Sequence, residues 1–144
     1  MHLKHIGIIH SPFLSKESAP RQGRKSKEVS TIEIFSEFAD GLKHIEEVSH
    51  LIVLYWGHLG DRNVLQGKTP FSEKPIGVFS SRSPQRPNPI AFCVVKLLKR
   101  SKNTLKVEGI DAVDGSPLLD IKVYSPEIDC VAKAENDWIE NDFS

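Results

Sequence analysis

No apolar run in this 144-residue chain approaches the length of a bilayer-spanning helix. The longest, residues 51–57, falls far below the roughly 20 residues such a helix needs. The first residues place His2, Lys4 and His5 where a secretory signal would require continuous apolar residues, so a cytoplasmic protein is expected. Cysteine is scarce: Cys93 and Cys130 show no CxxC or other ligand spacing, and they read as buried free thiols of a reducing compartment. His2, His5, His10, His44 and His50 include no i, i+4 pair and no adjoining acidic cluster, so no metal site is expected. No Gly-x-Gly-x-x-Gly follows a strand-like run, which removes the usual dinucleotide fingerprint and the doubly wound fold that carries it. A Ser/His/Asp or Cys/His nucleophile pattern is missing as well.

The formal net charge is zero, which argues against a uniformly basic nucleic-acid binder. The charge is nevertheless segregated. Residues 1–27 hold six Lys/Arg against one Asp/Glu and residues 61–102 hold nine against two, whereas residues 28–60 hold one against six and residues 103–144 three against ten. The two basic stretches suit a polyanion such as RNA, provided the acidic stretches do not cancel them across the surface. At 39% apolar content the chain can bury a core as a single domain over residues 1–144, with residues 127–144 as an acidic tail containing Glu135, Asp137, Glu140 and Asp142.

Strand-like runs rich in Val, Ile and Phe, bounded by Gly, Pro, Asn or Asp, occupy residues 3–9, 30–35, 50–56, 76–80, 90–99, 104–111 and 119–124. One short helix is expected over residues 37–47, from Phe38, Leu42 and Ile45 at helical spacing. Residues 100–104, RSKNT, read as a hairpin turn. About seven short strands with brief connections imply a mainly β fold, an antiparallel barrel closed or nearly closed so that no edge is left exposed.

Three segments carry the candidate chemistry. Residues 77–90, GVFSSRSPQRPNPI, run a short strand into a loop with Arg82, Arg86, Asn88 and three prolines. Each proline fixes its own φ and pushes the preceding residue toward extended backbone, so two guanidinium forks are offered by a stiff loop. Such a loop suits an anionic or aromatic ligand, or else is a rigid connector with solvated arginines. Residues 109–124, GIDAVDGSPLLDIKVY, place Asp111, Asp114 and Asp120 around an Asp-Gly-Ser-Pro turn; residues 19–23, APRQG, lie in a polar stretch after the first strand.

Together, in this order, they resemble the TsaA/TrmO-like family of S-adenosylmethionine-dependent tRNA methyltransferases, and the resemblance extends over nearly the whole chain. It implies a small β-barrel, S-adenosyl-L-methionine as cofactor, a homodimer with the cofactor near its interface, and tRNA as partner. Pro20, Arg21 and Gln22 match the family's PRQ segment against the cofactor. Gly57 and His58 match the position after the third strand, Arg82 the arginine opening the RSxxRPNP segment, and Phe92 a weaker cofactor position. Asp111, Ala112, Val113 and Asp114 match the DxVD turn that holds the adenosine part. Each has a plainer structural role open to it: a turn histidine at His58, a tight turn at Asp114–Gly115, a surface charge at Arg21.

The implied substrate is a tRNA bearing threonylcarbamoyl-adenosine beside its anticodon, methylated on the exocyclic nitrogen. That urea-like nitrogen must shed a proton, and Asp111, Asp114, His58 and Tyr124 are the available bases, with a carboxylate of the Asp111/Asp114 turn as the hypothesis. Arg86 is the candidate for the threonyl carboxylate, and Tyr124 a further substrate contact. Larger bacterial members continue into a C-terminal region that the resemblance does not reach, which leaves tRNA to the barrel, a partner subunit or another protein. A methyltransferase of the same barrel acting on a small molecule or another RNA, and a non-enzymatic nucleotide- or RNA-binding barrel, stay open as alternatives.

Overall fold

The computed structural model describes residues 1–69 and 72–135; Asp137, Glu140 and Asp142 of the expected acidic tail lie outside them. In chain order the strands are β1 (Gly7–His10), β2 (Val29–Ile34), β3 (His50–Trp56), β4 (Gln66–Thr69), β5 (Ser72–Gly77), β6 (Ile90–Ser101), β7 (Thr104–Glu108) and β8 (Ser116–Val123), followed by a one-turn helix α1 (Pro126–Asp129). Contacts gather them into two units, one of Met1–Leu59 with Ile90–Tyr124 and one of Gly60–Pro89 with the chain from Ser125.

In the first unit six strands close a barrel in the order β1-β2-β7-β6-β3-β8, every neighbour antiparallel. Alternation dictates which side chains fill it: Ile32 and Ile34 of β2, Leu51 and Val53 of β3, Val95 of β6, Leu105 and Val107 of β7 and Leu118 of β8 are all at most 2% exposed. Burying each contributes about 1.5–3 kcal/mol. Closure satisfies every edge, as the sequence pattern requires.

Several boundaries differ from the expected ones for identifiable reasons. Strand β3, His50–Trp56, falls on the expected residues 50–56. The third-last expected strand, residues 90–99, runs on to Ser101 and turns at Lys102 and Asn103, within the RSKNT segment. Strand β7 stops at Glu108 because Gly109 takes φ +106, outside the strand region. The first pairing begins at Gly7 rather than residue 3. The expected helix over residues 37–47 is instead two 3-10 stretches, Ser36–Leu42 and Ile45–Glu47, interrupted by His44 at φ 69; the α-helix is α1. Leu42 is nevertheless buried in the core, with Phe38 and Ile45 packed against it. Cys130, expected to be buried, is exposed; Cys93 is buried and in no disulfide.

The second unit contains a two-stranded sheet, β4 against β5, with Gln66 opposite Gly77 and Gly67 opposite Ile76. The expected strand at residues 76–80 ends at Gly77, after which Val78–Ser80 form a 3-10 turn anchored by the Val78 amide donating to Leu65 O at 2.9 Å. Among the described residues, no helix is long and apolar enough to cross a membrane.

Candidate functional site

Between β7 and β8 the chain passes through Gly109, Ile110, Asp111, Ala112, Val113 and Asp114 at one end of the barrel. Ile110 and Ala112 are buried at 0% and 1% exposure, an alternation that leaves Asp111 half-buried, and the turn after Val113 breaks it to expose Asp114. Asp111 Oδ1 accepts from Tyr55 Oη at 2.7 Å and from Cys93 Sγ at 2.7 Å, which ties the turn to the ends of β3 and β6. Hydrogen bonds to a charged acceptor are stronger than neutral ones, about 1.5–3 kcal/mol each. Asp114 is exposed; its Oδ1 accepts from the Ser11 amide at 3.0 Å and its own amide donates to Phe13 O at 2.7 Å. Ser11 Oγ donates to Ala112 O at 2.6 Å, so the segment after β1 and the turn hold each other. The turn closes with the Ser116 amide donating to Val113 O at 3.1 Å and Gly115 at φ +85, a backbone position that favours glycine.

The PRQ segment reaches the same place. Gln22 precedes a 3-10 turn, Gly23–Lys25, and a methyl group on Gly23 would collide with the carbonyl oxygen of Gly109 while lying 3.2 Å from the Asp111 amide nitrogen. Glycine here allows two backbones to touch, bringing residues 20–23 against the 109–114 turn. Pro20 and Gln22 are half-buried and Arg21 exposed. At the end of β3, Gly57 is followed by an exposed His58 whose amide donates to Trp56 O at 2.9 Å. Phe92 projects outward from β6 opposite Leu54 and is 44% exposed. The 20–23 segment and the end of β3 thus lead to the barrel end that holds residues 111–114, through Gly23 against Gly109 and Tyr55 on Asp111.

Tyr124 does not. Its amide donates to His50 O at 3.2 Å, at the opposite end of β3 from Tyr55. His50 and Tyr55 are five residue steps apart along the strand, about 16 Å.

Arg82 and Arg86 belong to the second unit. Arg86 donates from Nη1 to Ser81 O and Ser83 O at 3.0 and 3.1 Å, and from Nη2 to Val78 O at 2.7 Å. Arg62 donates from Nε to Pro87 O at 2.7 Å and from Nη2 to Asn88 Oδ1 at 3.2 Å. Two guanidinium groups therefore shape the loop that carries the exposed Arg82. Three site contributors lie outside the sequence motifs: Ser11, Tyr55 and Cys93. Tyr55 and Cys93 share the inward phase of strands that end beside each other, with Tyr55 opposite Ala91 and Val53 opposite Cys93, but only the barrel brings both to Asp111.

A family model described as the tRNA-methyltransferase O N-terminal domain matches residues 8–130. An S-adenosyl-L-methionine-binding protein of Archaeoglobus fulgidus is 54% identical over 135 residues, covering 94% of this chain and 97% of the relative. A Methanothermobacter thermautotrophicus protein named "Probable S-adenosyl-L-methionine-binding protein" is 47% identical over 127 residues, 88% of this chain and 92% of its own length. The crystal structure of TrmO from Pseudomonas aeruginosa is similar with a TM-score of 0.78 at 34% identity, over 94% of this chain and 61% of that one, so the chain spans about three fifths of the solved protein.

Proposed function

The chain belongs to the tRNA-methyltransferase O N-terminal-domain family, and on that footing we propose that it methylates the exocyclic nitrogen of threonylcarbamoyl-adenosine beside a tRNA anticodon. Its cofactor is S-adenosyl-L-methionine, the ligand that gives the archaeal relatives their names; that group supplies an electrophilic methyl on a sulfonium. The observation that supports the proposal is a turn held by Tyr55, Cys93 and Ser11, with the segment ending at Gly23 packed against it.

The residues fit such a ligand. Asp114 has an exposed carboxylate whose second oxygen receives no hydrogen bond from the described residues, suited to hydroxyl or ammonium donors. Phe92 offers an aromatic face for a purine. Pro20, Arg21, Gln22, Gly57, His58, Arg82, Phe92 and residues 111–114 are read as the cofactor-holding set. A methyl displacement needs no covalent catalyst; alignment of nucleophile and methyl supplies up to about 7–11 kcal/mol.

The remaining task is the proton on the acceptor nitrogen. Asp111 is half-buried with its Oδ1 held by two donors and positions the turn, whereas the exposed Asp114, with one donor on its carboxylate, is the base we propose to take the proton. Asp114→Asn should therefore lower turnover more than cofactor affinity. Arg86 is proposed to meet the threonyl carboxylate through the Nε edge that its three loop contacts leave over. We read the protein as a cytoplasmic homodimer of one domain with an acidic C-terminal tail. The outer row of Leu54 and Trp56 beside Phe92 and Ile90, the last two 44% and 45% exposed, supports a second copy as neighbour.

Calorimetric titration with S-adenosylhomocysteine tests the cofactor site. Micromolar binding that weakens about tenfold in Arg82→Ala, a loss of about 1.4 kcal/mol, is expected and leads to a tRNA methylation assay. Equal binding by both proteins would remove Arg82 from the site, and no binding by either would overturn the proposal.

A further inference from the structure

The β6–β7 hairpin carries Lys96, Lys99, Arg100, Lys102 and Lys106. Arg100 is engaged, donating from Nη1 to Leu42 O at 2.9 Å and to Glu46 Oε2 at 3.0 Å. The four lysines are exposed, and none has a carboxylate at ion-pair distance among the described residues. The register sets Lys99 directly opposite Lys106, and β2 answers Lys106 with the neutral Thr31. Directly opposed residues project to one face, and like charges so placed destabilise a bare sheet. The acidic groups on this wall are Glu108, opposite Lys96, and Glu33, opposite Thr104 and 3.6 Å from His10. At the hairpin tip Lys102 adopts φ 55, a left-handed backbone that glycine or asparagine takes at lower cost. Positive charge is thus kept in two places where the fold alone would favour something else.

We propose that this outer wall is an RNA-binding surface whose lysines contact backbone phosphates, so that the barrel itself grips the nucleic acid. The proposal rests on the RNA substrate put forward above and names where that substrate is held. Lys96 to Ser101 extends along about 16 Å of strand, with Lys102 at the turn beyond it, enough to follow a backbone past more than one phosphate. Arg100, through Glu46 and Leu42, keeps the hairpin fixed to the residues beside it, and the wall shares no residue with the proposed cofactor set.

Binding of an unmodified tRNA to the full chain, measured by fluorescence anisotropy between 50 and 200 mM salt, tests this. For a Lys99→Ala/Lys106→Ala variant, the slope of log affinity against log salt should fall by about 1.4–1.8, at about 0.7–0.9 for each phosphate that is no longer neutralised. Affinity at 100 mM salt should drop at least tenfold, and S-adenosylhomocysteine binding should stay at the wild-type value, which shows the fold intact. An unchanged slope and affinity would overturn the proposal, as would tighter binding to a DNA duplex of matching length. If the wild type binds tRNA through the hairpin but transfers no methyl group to threonylcarbamoyl-adenosine, the substrate assignment fails and the RNA surface stands. If methyl transfer proceeds with the variant's tRNA binding unaltered, the surface fails and the substrate assignment stands.

Discussion

The two ends of the barrel are built in opposite ways. At the Asp111 end, chain crossings are held by directed polar contacts: Tyr55 and Cys93 to Asp111, Ser11 to Ala112 and Asp114, Ser116 to Val113. At the other end, Ile6, Ile34, Leu51, Val48 and Ile121 line a cleft of about 600 Å3 beside the 3-10 stretches, with Glu37, Asp40, Lys43, Asp120 and Lys122 as its charged lining. Hydrogen bonds fix direction as well as distance, whereas apolar contacts fix little beyond proximity. The first construction suits a ligand that must be aligned; the second suits closure of a core.

The contrast can be broken most forcefully at the apolar end. Leu51→Ala removes a side chain that is 1% exposed and should cost about 2–5 kcal/mol in urea unfolding while leaving S-adenosylhomocysteine affinity within twofold. A comparable loss of affinity would show that the two ends are coupled. At the polar end, Tyr55→Phe keeps the ring and deletes one donor to Asp111. It should cost about 1.5–3 kcal/mol of stability and weaken S-adenosylhomocysteine by several-fold, checked by calorimetry on the folded protein. The smallest effect is a pH dependence at the apolar end. The hydrogen bond from Arg100, then one from Glu46's own backbone, holds the Glu46 carboxyl below the usual carboxylate range. The stability this contributes is present above the ordinary carboxylate value and is lost as pH falls through the lowered one. Arg100→Ala should flatten that part of the acid limb in a pH series of urea unfolding, an effect kept small by solvent exposure.

How far these features could be read in advance depends on how local their causes are. Strand β3 was legible because residues 51–56 form a continuous apolar run rich in Leu, Ile and Val that Gly57 closes. The 3-10 stretches were not, because Phe38, Leu42 and Ile45 satisfy helical spacing and nothing in the sequence announces a left-handed His44. Strand β4 carries Gln66, Gly67 and Lys68, with no apolar phase to mark it. Around the site, the motif residues were legible as an ordered set, and Gly23 adjoining the PRQ segment could be seen but not its contact with Gly109. The two donors to Asp111 stand 56 and 18 residues away, so only closure of the barrel reveals them.

In the proline loop, arginine side chains stand in for the backbone. Pro84, Pro87 and Pro89 remove three amide hydrogens from residues 83–90, and the side chains of Arg62 and Arg86 answer the carbonyls of Ser81, Ser83 and Pro87. Order in this loop is therefore written in guanidinium protons. Amide deuterium exchange will under-report its rigidity, and the slow-exchanging arginine Nε–H resonance of Arg62 is the signal to follow.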